Sequence, residues 1–344
     1  MDATIATFLI QDGITNGAIY ALLGLALVLV FAVTRIIFIP QGEFVAYGAL
    51  SLALLDNGQI PGTAPMLISF GVAAMLLDLW AMRNAFEMGK LLRALAINVA
   101  LPLIIYGVVA LVAPLQPPAL VRALVAILII APMGYYIYRV VYRPLADATV
   151  LTLLIASLGV HLFMMGLGLV FFGPEGLRAR PLSDGSILVG PMVVTTQSLW
   201  IYGITILIII GLYLFFERTL LGKALRATAV NRLGARLVGV RTQLTGVTAL
   251  VLAAIIGAVS GVLIAPVTTI YYDTGFLIGL KGFVAAILGG LGNFPLTAIA
   301  ALGVGIVEAF SSFFASAYKE IIVFGLIVPV LVWLSFGAGH HEED

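Results

Sequence analysis

Apolar runs of about 20 residues, the length needed to cross a bilayer as a helix, recur along the whole chain and leave little choice of fold. They fall at 10–33, 38–55, 64–81, 92–112, 119–138, 149–171, 198–216, 245–265, 276–291, 296–315 and 319–336. The chain has 344 residues, of which 62% are hydrophobic and 10% charged. A soluble chain is about half apolar and a quarter charged, so water could not cover a core of this size. A bilayer requires no such cover, because its interior is as apolar as leucine. The predicted fold class is all-α: a polytopic transmembrane helical bundle of about 11 segments, forming one domain over 1–344. Met1 to Phe8 lack the basic flank of a cleavable signal, so the first run reads as a retained helix.

Two of the runs are interrupted. Segment 38–55 carries Pro40, Gly42 and Glu43 near its start, and 276–291 is short and carries Gly279, Lys281, Gly282, Gly289 and Gly290. Each reads as either a broken or a re-entrant helix, a geometry tolerated where it lines a cavity or is buried in protein.

Lysine and arginine set the orientation. The largest basic connection is 217–244, with Arg218, Lys223, Arg226, Arg232, Arg236 and Arg241 against Glu217. Placed in the cytoplasm, it puts Arg35, the connection with Arg83, Lys90 and Arg93, and the connection with Arg139 and Arg143 on the same side. The loops 56–63, 114–118 and 173–197 fall outside; in the last, Arg178 and Arg180 are balanced by Glu175 and Asp184. The N-terminus is then outside and the tail, His340 to Asp344, cytoplasmic.

Glycines recur four apart at Gly13/Gly17, Gly257/Gly261 and Gly275/Gly279, a spacing that lets helices approach closely and reads as packing. Ionisable groups at membrane depth are costly and tend to mark function. Glu308 lies mid-span, and Gln41, Glu43 and Lys281 lie in the interrupted segments; Asp78 sits near a span end. These groups either line a translocation path or form buried structural pairs. His161, alone in an apolar span, reads as hydrogen-bonded within the bundle.

The connection 217–244 is too polar to span and too patterned for a slack linker. Lys223 and Arg226 are three apart, and Arg232 and Arg236 four apart, so each pair shares one side of a short helix. Leu225, Leu233 and Leu237 supply apolar positions, and Gly239 suits a helix end. One or two amphipathic helices with a basic outer face and apolar knobs are predicted. They serve either anionic headgroups or a cytoplasmic partner with a groove for an apolar helix face.

Several chemistries find no residues. The chain has no cysteine, so disulfides, thiolate metal sites and cysteine nucleophiles are excluded. Gly222-Lys223 is followed by Ala224 and lacks the upstream glycine of a phosphate loop. No His-Glu-x-x-His and no Gly-x-Ser-x-Gly occurs, so neither a catalytic nor a metal site is expected. His340 and His341, among Glu342, Glu343 and Asp344, read as solvated. The net charge of +1 gives no sign of nucleic-acid binding.

An ordered series of motifs then carries a resemblance. Gly13-Ile14-Thr15-Asn16-Gly17-Ala18-Ile19-Tyr20-Ala21-Leu22 opens it. Arg35-Ile36-Ile37-Phe38 with Gln41-Gly42-Glu43-Phe44 follows, then Tyr142-Arg143-Pro144-Leu145 with Leu154-Ile155-Ala156-Ser157-Leu158-Gly159. Ala285-Ala286-Ile287-Leu288-Gly289-Gly290-Leu291-Gly292-Asn293 closes it. The chain resembles the permease subunits of high-affinity branched-chain amino-acid ABC importers. Two stretches depart from that family: Phe38, Ile39, Pro40 and Gln41 stand where it commonly has Asn and His, and 62–118 is longer than its usual connection, as though a helical hairpin were added.

The resemblance implies a non-enzymatic subunit of a bacterial inner-membrane transporter. It implies a second, related permease chain, two cytoplasmic ATPase subunits that bind ATP, an extracytoplasmic substrate-binding protein, and surrounding lipid. It makes 217–244 the loop that contacts the ATPase, with Lys223, Arg226, Asn231, Arg232, Arg236, Leu237 and Gly239 as coupling residues. This chain itself would hold no cofactor. The competing reading is a self-sufficient secondary transporter driven by an ion gradient, with Glu43, Asp273 or Glu308 at its ion site.

Overall fold

A computed structural model describes residues 3–83, 87–146, 148–189 and 192–338. Among the described residues the fold is almost wholly helical. The elements are α1 (Ala3–Thr34), α2 (Gln41–Asp56), α3 (Thr63–Met82), α4 (Met88–Leu95), α5 (Leu101–Leu115), α6 (Ala119–Ile137) and α7 (Val150–Phe172). A two-stranded hairpin, β1 (Ser186–Val189) and β2 (Met192–Thr195), precedes α8 (Thr196–Arg218), α9 (Leu220–Val230) and α10 (Arg232–Leu237). The chain closes with α11 (Thr242–Ile264), α12 (Thr274–Leu288), α13 (Phe294–Phe314), α14 (Lys319–Gly325) and α15 (Ile327–Ala338). The tail residues assigned to the cytoplasm, His340 to Asp344, lie outside the described residues.

Among the described residues, eight helices are long and apolar enough to cross a membrane. The other three of the expected runs fall on shorter helices. α2 has 16 residues and α12 has 15, so each is roughly 22–24 Å long, short of a hydrocarbon core of about 30 Å. The run 319–336, expected as one span, instead breaks at Leu326 between α14 and α15. Pro329 lacks the N–H that would pair with the Gly325 carbonyl, and its ring crowds that turn. The hairpin in 173–197 was not foreseen; β-branched Ile187, Val193 and Val194 suit its antiparallel pairing.

The centre of the bundle is α1, α2, α11, α12 and α13. Lipid offers apolar surface as good as leucine, so burial alone does not gather these helices, and close backbone approach must. α1 runs antiparallel to α13. A Cβ on Gly13 would lie 2.6 Å from the Ile306 Cα, and one on Gly17 2.8 Å from the Leu302 Cα. Gly48 meets Ala258 of α11 in the same way, with the nearest atom at 2.6 Å. The expected packing role of the four-spaced glycines is thus what their surroundings require.

α2 is buried along nearly its whole length. Gln41 Nε2 donates to the Ala253 carbonyl at 3.0 Å, midway along α11, so α2 begins at mid-depth in the bundle. It ends at Asp56, which pairs with Arg122 at 3.0 Å and accepts from the Arg180 backbone N–H at 2.7 Å. α12 starts against α2, where Gly42 and Gly275 touch backbone to backbone, and runs the other way, ending where Gly289 meets Thr297. The remaining helices form a rim. Leu76, Trp80, Ile104, Leu111, Ile155 and Leu207 on α3, α5, α7 and α8 are exposed, as a lipid-facing surface requires.

α4 and α5 are joined through a π-turn, Ala96–Ala100, into one continuous helix, and α6 ends in a second π-turn, Tyr138–Tyr142. The two turns face one carboxylate. Asp78 accepts from Asn98 Nδ2 at 2.7 Å and pairs with Arg139. This pairing compensates the charge near the end of α3.

Candidate functional site

The connection between α8 and α11 folds into two short helices. Thr219 caps α9, its hydroxyl accepting from the Gly222 N–H at 2.9 Å. Gly222 is required there, because a Cβ would run into the Phe215 carbonyl. Asn231 ends α9 and caps α10, its Oδ1 accepting from the Gly234 N–H at 2.8 Å. Gly239 follows α10 with φ +87°, a left-handed turn that favours glycine.

Side-chain directions divide the predicted coupling residues. Leu225, expected as an exposed knob, is fully buried with Leu29, Val33 and Ala249, and pins α9 to α1 and α11. Arg232 turns back to donate to the Ala146 carbonyl at 2.8 Å, and Arg236 Nε donates to the Thr242 hydroxyl at 3.0 Å. Arg226 pairs with Glu217 at 2.8 Å. Lys223 stays exposed. The expected basic outer face is therefore mostly used to tie the loop to the bundle. What faces outward is apolar: Leu220, Val230, Leu233, Leu237 and Val238 are 68–87% exposed. Leu233 and Leu237 were legible from their spacing of four. Leu220, Val230 and Val238 were missed, since they flank bends and belong to no helical period.

An apolar cleft of about 620 Å³ runs beside α9, between α1, α8 and α13, with Phe31, Tyr213 and Phe216 on its walls and Arg35 and Arg226 at its end.

The four predicted path residues fall into two separate clusters. In the first, Glu43 Oε1 lies 2.9 Å from His161 Nδ1, and the His161 ring stacks on Phe276 with centroids 4.4 Å apart. His161 was expected to be hydrogen-bonded within the bundle and is; that its partner is Glu43 could not be read across 118 residues. Gln41 adjoins this cluster. Glu43 Oε2 and Gln41 Oε1 are buried with no hydrogen-bond partner among the described residues.

In the second cluster, Lys281 Nζ donates to Glu308 at 2.5 Å and to Glu320 at 3.2 Å, and the Tyr20 hydroxyl donates to Glu308 at 2.5 Å. Four helices, α1, α12, α13 and α14, are tied together here. Glu308 also borders a polar cavity of about 370 Å³ with Asp12, Asn16, Ser312 and Lys319. Tyr20 and Glu320 were not foreseen. Asp273, proposed for an ion site, is exposed just before α12 and joins neither cluster's hydrogen bonds. Among the described residues, no group of three or more histidine or acidic side chains could hold a metal ion.

Comparison with known proteins places the chain in a family. The profile of the family described as branched-chain amino acid transport system, permease component, matches residues 9–331. The high-affinity branched-chain amino acid transport system permease protein BraD of Pseudomonas aeruginosa is 32% identical over 219 residues, 62% of this chain and 71% of its own. LivH of Escherichia coli K12, a permease protein of the same description, matches to the same extent. A probable branched-chain amino acid transport permease protein LivH of Methanocaldococcus jannaschii is 31% identical over 134 residues, 38% of this chain and 42% of its own. No solved structure gives a significant match. A polytopic helical bundle with a folded, apolar-faced loop and two buried polar clusters is thus a member of the permease component family of branched-chain amino acid transport systems.

Proposed function

We propose that this chain forms one half of the translocation path of an ABC importer for branched-chain or related amino acids in a bacterial inner membrane, and that α9 and α10 receive the motion of a cytoplasmic ATPase. The observation that carries the proposal is the apolar set on those two short helices. Large side chains this exposed, on folded elements held at one end of the bundle, mark a protein contact. A self-sufficient carrier has no use for such a surface, and the resemblance to BraD and LivH favours the importer.

The remaining parts of the assembly follow from the same reading. Nucleotide is bound by the partner ATPases and solute is delivered by an extracytoplasmic binding protein, with a second, related permease completing the path. Glu308 lines that path, because it borders a polar cavity that lipid would not tolerate, and Lys281 joins it through its ion pair with Glu308. Gln41 and Glu43 hold α2 against α11 and α7, beside the path. The hairpin of α3 with α4–α5 is a peripheral addition facing lipid.

The test is co-purification of the ATPase subunit with the tagged chain, comparing wild type with Leu233→Glu plus Leu237→Glu. Burying one leucine at an interface is worth about 1.5–3 kcal/mol, so losing two weakens association by about 100-fold or more. The variant should stay in the membrane at wild-type level and lose the ATPase together with ATP-dependent leucine uptake. Retention of the ATPase at wild-type level would refute the assignment of this surface.

A further inference from the structure

We propose that the cavity between α4, the foot of α6 and the link from α10 to α11 binds the phosphate headgroup of an anionic phospholipid. The cavity holds about 860 Å³ and is lined by Arg93, Arg139, Arg143, Arg236 and Arg241, with no aspartate or glutamate among its described lining residues. These arginines come from three parts of the chain, α4, the foot of α6 and the link from α10 to α11, so the concentration of charge arises from folding and not from one basic run. Arg139 is held by Asp78, and Arg236 Nε by Thr242. Arg93, Arg143 and Arg241 are exposed, and no side-chain hydrogen bond or carboxylate partner is found for them among the described residues. Guanidinium groups lining one cavity repel one another, which favours an anion among them, and their planar forks match phosphate oxygens.

The surroundings favour lipid over a soluble anion or a protein. Arg93 lies between Leu92 and Leu95, both exposed, and Arg241 lies near Leu244, also exposed. Tyr135 and Val247 are among the other residues of the cavity wall. α4 and α6 belong to helices of membrane-spanning length, and the cavity opens at their basic ends. A headgroup among the arginines would leave acyl chains running along an apolar flank, the arrangement of basic pockets between helices that hold anionic lipid. Gly239 and Val240 also line the cavity. An occupant would therefore steady the foot of α10 and the apolar surface it presents. The site does not depend on which solute is carried.

Native mass spectrometry of the purified full chain tests this, with dioleoyl phosphatidylglycerol, tetraoleoyl cardiolipin and dioleoyl phosphatidylcholine as probes and pyrophosphate as a soluble competitor. Wild type should retain the two anionic lipids at least about ten-fold over phosphatidylcholine. Arg93→Gln with Arg143→Gln and Arg241→Gln should abolish that preference. Arg83→Gln with Lys90→Gln and Arg218→Gln, which removes the same charge at the same end of the bundle, should keep it. Arg241→Gln alone, a change at an exposed link, gives the same direction if the triple variant does not fold. Equal retention of phosphatidylcholine, or undiminished anionic lipid on the folded variants, overturns the proposal. So does binding of pyrophosphate in place of lipid, which would make the site one for a soluble phosphate.

Discussion

At the residue scale, glycine and the buried pairs make opposite demands. Gly42 meets the backbone of Gly275, and Gly261 meets the Val45 carbonyl, so an added methyl has only main chain to push against. Overpacking of this kind costs about 1–3 kcal/mol, and the immobility of backbone puts these sites at or above the upper end. Gly42→Ala and Gly261→Ala should each lower the melting temperature in detergent. Gly107→Ala and Gly211→Ala, where nothing lies within 4 Å of the new methyl, should leave it unchanged or raise it. The Glu43–His161 pair obeys a different rule, because removing one partner strands the other. Glu43→Ala should cost about 3–5 kcal/mol. His161→Phe with Glu43→Leu should recover much of that loss, and a double-mutant cycle in thermal unfolding reads the coupling. The residues of both buried clusters were singled out in the sequence as costly at membrane depth. Their partners were not legible, since a helix period specifies a face but not the helix opposite it. Tyr20 and Glu320 join Lys281 and Glu308 only because α1 and α14 flank α13.

At the scale of elements, the loop between α8 and α11 shows what patterning can and cannot specify. Its helices, its end at Gly239 and the outward placing of Leu233 and Leu237 all followed from spacing. The direction of the arginines did not, because it depends on the bend between α9 and α10, which Asn231 sets by ending one helix and capping the next. Replacing an Asn cap by Ala costs about 0.5–2 kcal/mol. In Asn231→Ala, hydrogen exchange over 232–238 should therefore speed by about two- to thirty-fold, with α11 unaffected. Equal exchange in variant and wild type would mean that Arg232 and Arg236, and not the cap, hold α10 in place. The interruptions were legible for a simpler reason: proline and glycine near the start of α2, and glycines along α12, mark these runs as broken or re-entrant. The break within 319–336 was announced as faintly, by Gly325 and Pro329 inside an apolar run that hydropathy alone reads as continuous.

At the scale of the whole molecule, the distribution of charge makes the orientation a consequence of the fold. α9, α10, Arg35 and the five-arginine cavity share one end of the bundle, while the β1–β2 hairpin and Asp56 with Arg122 share the other. Positive residues stay in the cytoplasm, so the end with α9 and α10 should face the cytoplasm, where the proposed ATPase would dock, and the hairpin should face outward. The chain contains no cysteine, which gives a silent background for labelling. Ser186→Cys on β1 and Ala227→Cys on α9 both place a thiol at an exposed position. In spheroplasts, a membrane-impermeant maleimide should modify Ser186→Cys and leave Ala227→Cys untouched until the membrane is opened; in inside-out vesicles the order should reverse. The reverse pattern in spheroplasts would put the apolar surface of α9 and α10 outside the cell, out of reach of ATP. The coupling role would then fall even though the family membership stood, and the same surface would have to serve the extracytoplasmic partner.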